Sequence, residues 1–296
     1  MNVLISGATG LIGAALIPEL EAGGHRVTRL TRSPRSAGDI GWDPEAGMIE
    51  GDLNGTDAVV HLAGESIAEG RWTPEKKRRI LESRQKGTRL LAERSAALPT
   101  PPSVMVSASA TGYYGDRGNE LLTEESEPGE VFLSRVCQEW EEAASPAREA
   151  GVRVVHPRFG IVLSTKGGAL GTTLPIFKLG AGGKIGSGRQ YWSWVSMDDV
   201  VASIVHAVET DSLVGPVNVV TPDAPTNAEY TGVLGRVLNR PTFFAVPAPA
   251  ARIALGEVAD ELLLASARVE PAKLKASGYK YRHPELEGAL RHLLGR

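Results

Sequence analysis

The sequence contains one cysteine among its 296 residues, Cys137. A single cysteine excludes an internal disulfide framework and any zinc site built from several cysteines. The six histidines never recur at HxH or HxxxH spacing, in which two ligands would share one face of a strand or helix. The sequence therefore predicts no metal-binding residues.

Long apolar runs are also missing. No 18 apolar residues follow one another, so we expect no segment that spans a bilayer and no membrane partner. The opening residues lack the basic start and long apolar stretch of a secretion signal. These features predict a cytoplasmic protein.

An excess of basic charge is absent as well. The formal net charge is −3, which gives no general attraction to nucleic acid. The basic run at residues 76–79 lies in a predicted helix and is interpreted as a solvated face. The fractions of hydrophobic (42%) and charged (23%) residues are those of a globular protein. We expect a small-molecule substrate. The sequence is compatible with either a monomer or a homo-oligomer.

The first 31 residues predict a βαβ unit. An apolar run at residues 3–6 precedes a glycine-rich loop, and apolar residues at helical spacing lead to a second strand at 27–31. Further strands are predicted at 58–62, 104–107, 152–156 and 217–220, and helices after residues 73, 196 and 226 and over 132–144. This alternation is typical of an α/β protein with a Rossmann-type, doubly wound parallel sheet.

Two regions depart from this alternation. Residues 160–195 are rich in glycine and are predicted to be ordered substrate loops inserted into the first domain, 1–235. One of Trp192 and Trp194 is expected on a substrate wall and the other in the core. Residues 240–296 are predicted to form a smaller, mainly helical C-terminal substrate lobe.

The opening loop has the GxxGxxG pattern directly between a strand and a helix. Glycines allow a sharp turn and a close approach of backbone amides to a pyrophosphate, whose charge the helix N-terminus stabilises. The pattern predicts nucleotide binding; the alternative is a structural strand-to-helix turn. The predicted cofactor residues in this loop are Gly7, Thr9, Gly10, Leu11, Ile12 and Gly13.

The end of the second strand predicts which dinucleotide is bound. An acidic residue at this position holds the ribose 2′-hydroxyl, whereas an arginine accommodates a 2′-phosphate. This sequence has Thr31, Arg32 and Ser33 and no carboxylate nearby. We therefore predict a preference for NADPH over NADH; the alternative is that Arg32 is a solvated surface residue.

A third group of small residues follows the strand at 58–62. Leu62, Ala63, Gly64 and Glu65 could lie against a cofactor. Together with the opening loop and with the segment from Ser107 to Gly115, they resemble the extended short-chain dehydrogenase/reductase superfamily. The resemblance extends to an atypical branch through residues 160–163, 186–190, 194–195, 226–229, 256–264 and 269–271. These are NAD(P)-dependent epimerase-like proteins with a small C-terminal domain of unassigned function.

The resemblance implies a catalytic serine, tyrosine and lysine, with a YxxxK pair on one helix. None of the six tyrosines has a lysine four residues later. The alignment places Leu133 at the tyrosine and Cys137 at the lysine; a slip by one residue gives Phe132 and Val136, which does not restore the pair. The ordinary mechanism of the superfamily therefore does not carry over.

Members of this branch resemble the sequence in three positions. The resemblance implies that Ser109 is the retained serine, that Cys137 occupies the lysine position, and that Arg84 replaces an active-site asparagine. Arg84 could donate to the nicotinamide ribose, a phosphate or a substrate carboxylate. Cys137 is either a buried apolar residue or a proton donor, for which an ordinary thiol pKa near ~8.5 would suffice. Tyr113 and Tyr114 either replace the missing acid or line the pocket.

Two functions follow from these features. The first is an NADP(H)-binding, epimerase-like oxidoreductase that acts on a small carbonyl or hydroxyl substrate, with Ser109 holding the reacting oxygen. The alternative is a non-catalytic NADP(H)-binding sensor or scaffold protein, which the missing YxxxK pair favours. The sequence names no substrate for either function.

Overall fold

The computed structural model describes residues 1–296. Its strands are β1 (Asn2–Ser6), β2 (Arg26–Thr31), β3 (Ile40–Asp43), β4 (Met48–Glu50), β5 (Ala58–His61), β6 (Val104–Ser107), β7 (Ser109–Ala110), β8 (Leu121–Leu122), β9 (Arg153–Phe159), β10 (Ile161–Leu163), β11 (Trp194–Ser196), β12 (Gly215–Val219) and β13 (Arg268–Val269).

The helices alternate with these strands. They are α1 (Leu11–Ala22), α2 (Pro74–Ala96), α3 (Phe132–Glu142), α4 (Ser145–Glu149), α5 (Gly168–Lys178), α6 (Met197–Glu209), α7 (Asn227–Leu238), α8 (Ala248–Leu255), α9 (Ala272–Ala276) and α10 (Leu286–Leu294). A 3₁₀ turn covers Thr111–Tyr114, and a π-helical turn covers Ala259–Leu264. None of the helices is both long and apolar enough to cross a bilayer.

The main sheet has nine strands in the order β12-β9-β6-β5-β1-β2-β3-β4, with β7 beside β9. All pairs are parallel except β3 with β4, which is antiparallel. The strand order reverses between β1 and β5, where a doubly wound sheet places its ligand crevice. The predicted Rossmann-type sheet is confirmed.

Three neighbouring strands end in register at this crevice. Ser6 at the end of β1 pairs with His61 at the end of β5, and His61 pairs with Ser107 at the end of β6. Because the strands are parallel, the loops that follow them leave the same edge of the sheet. The glycine loop, residues 62–65 and Ser109 are therefore neighbours at one edge.

Helices cover both faces of the sheet. Leu16 and Leu20 of α1 and Ile204 of α6 belong to the larger buried cluster, on one face. Leu91 of α2 and Ala147 of α4 belong to the cluster on the opposite face. Each face of the central strands is thus closed by apolar side chains, which explains why β1, β5 and β6 are short, nearly continuous apolar runs.

The prediction for residues 160–195 is wrong in part, because this stretch contains β10, α5 and β11 rather than loops alone. Glycine and Pro175 lower the helix propensity of α5, so the sequence pattern conceals the helix. Leu170, Leu174 and Phe177 recur at helical spacing and are all buried in one cluster, so tertiary packing stabilises α5.

Trp192 and Trp194 lie in that same cluster and are 8% and 1% exposed. Neither is an open wall of a substrate site, which corrects the expectation for one of them. Ala289 and Leu290 of α10 complete the cluster. The mainly helical C-terminal lobe is therefore present, and it packs directly on the first domain. The boundary near residue 240 stays a prediction.

Candidate nucleotide-binding and active site

The glycine loop is packed so tightly that its glycines have no room for side chains. Gly7 has φ of +74°, and a Cβ there would lie 2.8 Å from the backbone nitrogen of Ala63. A Cβ on Gly13 would lie 2.3 Å from the carbonyl oxygen of Gly7. Gly7 therefore joins the loop to residues 62–63, and Gly13 allows α1 to begin against it.

The N-terminus of α1 is open to an anion. Gly10 is the N-cap, no side chain caps the helix, and its first turn contains no acidic residue. Thr9 and Gly10 are exposed, and Leu11 and Ile12 are half-buried. Free amides and the positive end of the helix dipole favour a phosphate at this position. The residues present fit the pyrophosphate of a dinucleotide.

Replacing Gly13 by alanine tests this geometry. We expect NADPH affinity to fall by about 10- to 100-fold, because the new Cβ must displace the loop backbone at a cost of about 1–3 kcal/mol. Calorimetric titration measures the change. Gly288→Ala is the control, since a Cβ there has no neighbour within 4 Å. Equal NADPH affinity in Gly13→Ala and wild type would contradict binding of the pyrophosphate at the glycine loop.

The predicted 2′-phosphate site follows β2. Thr31 is half-buried, Arg32 and Ser33 are exposed, and the Ser33 amide donates to Thr31 Oγ1 at 3.2 Å. Arg32 is a member of none of the ion pairs of the chain, although its charge acts on the nearby Glu65 carboxyl. The guanidinium is thus free to meet a phosphate that arrives from solvent.

Glu65 lies beside this site and is already engaged. Its Oε1 accepts from Lys76 Nζ at 2.7 Å. This hydrogen bond lowers the pKa of the Glu65 carboxyl, and the charges of Lys76, Arg79 and Arg32 lower it further, although burial acts in the opposite direction. The Glu65 carboxylate therefore forms ion pairs with Lys76, at 2.7 Å, and Arg79, at 3.7 Å, and leaves Arg32 without one.

Arg84 supports the loop that follows β5. Its Nη1 donates to the carbonyl oxygens of Glu65, at 3.0 Å, and Ile80, at 3.1 Å. Its guanidinium lies 4.8 Å from the Trp140 ring and directly under Gly64. Burial lowers the pKa of Arg84. These contacts make Arg84 a positioning residue for the loop containing Leu62, Ala63 and Gly64.

His61 is a fully buried residue of this edge that sequence reasoning did not assign. Its Nδ1 lies 2.5 Å from Ser6 Oγ, and Nε2 has no hydrogen-bond partner. Burial, with the nearby charge of Arg84, lowers the pKa of His61 to about 3. The ring is therefore neutral and ties β1 to β5 under the glycine loop. The position of His61 at the end of a predicted buried strand was the one sequence feature that could have identified it.

Ser109 is the centre of a buried polar network. Its hydroxyl donates to Glu141 Oε1 at 2.7 Å. Glu141 also accepts two hydrogen bonds of 2.8 Å from Arg158, whose side chain is 3% exposed. A carboxylate with a bidentate arginine has a fixed orientation. Glu141 therefore fixes the Ser109 side chain and orients the hydroxyl proton toward itself.

The two tyrosines pack around Arg158. The guanidinium lies 3.4 Å from the centre of the Tyr113 ring. Tyr114 is fully buried, donates to Asn218 Oδ1 at 2.7 Å and accepts from Arg158 Nη1 at 3.0 Å. Burial raises the pKa of Tyr114 to about 12. Tyr114 is thus enclosed and its hydroxyl has both hydrogen-bond partners, which argues against a role as the catalytic acid. Tyr113 is half-buried.

Cys137 lies next to Ser109 and is 3% exposed. Its thiol donates to the Ala110 carbonyl oxygen at 3.6 Å. Burial, together with the charge of Glu141, raises the pKa of Cys137 to about 11, against the lowering influence of Arg84. The expectation of an ordinary thiol pKa is therefore wrong, and the structure favours the interpretation as a buried apolar residue.

Alkylation of the single cysteine measures this burial. The pKa of Cys137 rises from 9.0 to about 11, so at pH 8 we expect native protein to react with iodoacetamide about 100-fold more slowly than urea-unfolded protein. Because folding raises this pKa, the buried thiol adds its full contribution to the free energy of unfolding below pH 9, and that contribution is lost as the pH rises toward 11. Equal native and unfolded rates would show an accessible thiolate.

A cleft of about 500 Å³ borders Tyr113, Glu141 and His156. It is also lined by Arg153 and Gly215, the first residues of β9 and β12. The amino ends of these parallel strands lie at the edge opposite the glycine loop. This cleft is therefore not the crevice in which a dinucleotide would meet Ser109.

Comparisons with known proteins agree with this geometry. The model of the NAD dependent epimerase/dehydratase family matches residues 3–220, and a domain of unknown function, DUF1731, matches residues 246–293. An epimerase family protein of Mycobacterium bovis is 40% identical over 290 residues, covering 97% of this chain and 96% of the relative. YfhF of Bacillus subtilis is 35% identical over 300 residues, covering 99% and 98%.

The crystal structure of the human epimerase family protein SDR39U1, isoform 2, with NADPH, superimposes with a TM-score of 0.94 at 36% identity. The alignment covers 100% of both chains. The extent of these matches confirms the resemblance noted in the sequence. The chain belongs to the NAD dependent epimerase/dehydratase family.

Proposed function

We propose that this chain is an NADP(H)-dependent, epimerase-like oxidoreductase that acts on a small substrate with a carbonyl or hydroxyl group. The glycine loop and the free N-terminus of α1 support binding of the pyrophosphate, and Arg32 supports the choice of NADP(H). The human relative crystallised with NADPH has the same fold over its whole length. When bound, the cofactor supplies or accepts a hydride.

The single observation that carries the proposal is the contact between Ser109 and Glu141. The serine lies at the edge of the sheet that also presents the glycine loop, and its proton is directed to Glu141. The Ser109 oxygen is consequently an acceptor. It would hold a substrate by accepting a hydrogen bond from its hydroxyl group, which orients the carbon that exchanges hydride.

The proton-transfer residue differs from that of the superfamily. Tyr114 is enclosed, and the Cys137 thiol is protonated at neutral pH because its pKa is about 11. A thiol with so high a pKa is a poor general acid, because efficient proton transfer needs a pKa near the operating pH. We propose that Tyr113, the one of the three candidates that is half-buried rather than enclosed, donates the proton when a carbonyl is reduced.

The experiment combines titration calorimetry with a substrate screen. We expect NADPH to bind, and at least one member of a panel of aldehydes, ketones and nucleotide sugars to cause its oxidation, measured as loss of absorbance. Ser109→Ala should bind NADPH like the wild type and lose turnover. Absence of heat with any pyridine nucleotide would refute cofactor binding itself.

A second function is favoured by one observation. Ser109, Tyr114 and Cys137 are each at most 3% exposed. Such a sealed site would suit a non-catalytic sensor of the NADPH/NADP ratio or a scaffold protein. NADPH binding without oxidation by any substrate of the panel would support this alternative over the oxidoreductase.

A further inference from the structure

Two histidines of the C-terminal segment meet an aspartate of α6. Asp198 lies in the first turn of α6, His283 precedes α10, and His292 lies within it. Asp198 Oδ2 is 3.2 Å from His283 Nε2 and 2.9 Å from His292 Nε2. The imidazole rings stack with a centroid separation of 4.2 Å. Both rings therefore direct a nitrogen at the same carboxylate oxygen.

The donor set and its spacing suit a transition metal. Imidazole nitrogen and carboxylate oxygen are ordinary zinc ligands, and bond lengths of 2.0–2.1 Å place two ligands of a tetrahedral site about 3.3 Å apart. All three donor atoms lie within 4.8 Å of one another. Binding one ion requires the two imidazole rings to turn out of their nearly parallel stacking, so that both Nε2 lone pairs point at the same place.

A buried carboxylate fixes the backbone that carries His283. Asp199 is fully buried and accepts hydrogen bonds from the amides of Arg282, at 2.7 Å, and His283, at 3.0 Å. Ser196 Oγ also donates to Asp199, at 2.8 Å. The segment before α10 is thus held against the N-terminus of α6, so the position of His283 is largely preorganised.

We propose that Asp198, His283 and His292 bind a divalent transition-metal ion of the zinc type, with water completing a tetrahedral site. The ion links α10 to α6 and so stabilises the contact between the C-terminal lobe and the sheet domain. The role is structural. The histidines are nine residues apart, and Asp198 is distant in sequence, so no local spacing revealed the site.

The test uses the full chain after chelator treatment. We expect Zn²⁺ to bind with a stoichiometry of one in calorimetry, and a 100-fold excess over Kd to raise the thermal midpoint by roughly 5 °C. Co²⁺ should give the visible absorption of a tetrahedral complex. Mg²⁺ should leave the thermal midpoint unchanged, because it prefers oxygen ligands in an octahedron.

Variants locate the ion. His292→Ala and Asp198→Asn each remove a direct ligand, so each should weaken Zn²⁺ binding by more than the roughly 10- to 100-fold cost of losing an outer-shell partner, and should abolish the Co²⁺ spectrum. Arg291→Ala is the matched control on the same helix, because it contacts only Glu287 through its side chain, and it should bind like the wild type. Absence of Zn²⁺ binding, or unchanged binding in His292→Ala, would overturn the proposal. His292→Gln repeats the test with a side chain that keeps its polarity.

Discussion

Replacing Glu141 by glutamine is expected to lower the free energy of unfolding by about 3–5 kcal/mol, because removal of one partner leaves a buried charge uncompensated. Arg158 is 3% exposed and directs two of its nitrogens at the Glu141 carboxylate. Glutamine has nearly the same shape, so the loss reports charge and hydrogen bonding rather than a cavity. Urea denaturation with a constant m-value measures it.

Glu139→Gln is the matched control for this prediction. Glu139 lies on the same helix and pairs with Arg135 at 3.0 Å, but the Arg135 side chain is 72% exposed. Exposed pairs at this spacing contribute about 0.5 kcal/mol or less. Similar losses for Glu139→Gln and Glu141→Gln would show that burial of the Arg158 pair has no special effect.

A double variant measures how much of the lost stability comes from the uncompensated charge of Arg158. Glu141→Gln combined with Arg158→Met removes the uncompensated charge, so we expect much of the lost stability to return. If the double variant is less stable than Glu141→Gln, the contacts of Arg158 with Tyr113 and Tyr114 outweigh its unpaired charge.

The central elements were predictable because each has a strong local signal. The strands of the parallel sheet are buried on both faces and therefore form apolar runs, and α2 begins at a threonine N-cap followed by proline. The helix α5 was not predictable in this way. Its glycines and Pro175 weaken the local signal, and the packing of Leu170 and Phe177 that stabilises it appears only in the tertiary structure.

The residues of the candidate site were predictable from the sequence, but the contacts between them were not. Ser109 and Cys137 were placed by their resemblance to family motifs, and the structure brings them together. The partnership of Glu141 with Arg158 joins α3 to β9 across 17 residues, and no sequence spacing specifies which buried charges will meet. The burial that raises the pKa values of Tyr114 and Cys137 has the same origin, because it depends on helices packed around both residues.

Replacing Arg32 by alanine is the other large expected effect, and it concerns cofactor choice. We expect affinity for NADPH to fall by about 30- to 1,000-fold, which corresponds to the cost of about 2–4 kcal/mol for removing a hydrogen-bonded charge partner. Affinity for NADH should change little, since NADH has no 2′-phosphate. Calorimetric titration of both nucleotides at fixed salt measures the two affinities.

Arg26→Ala provides the control, because Arg26 is exposed at the opposite end of β2. It removes the same charge at a position six residues, and thus about 20 Å along extended chain, from Arg32. If Arg32 acted only through long-range attraction, both variants would bind NADPH more weakly than the wild type. A higher salt concentration would then bring their affinities closer to that of the wild type. A direct contact weakens NADPH binding in Arg32→Ala alone. Equal losses for NADPH and NADH in Arg32→Ala would refute the 2′-phosphate assignment, because a contact to that group cannot affect a nucleotide that lacks it.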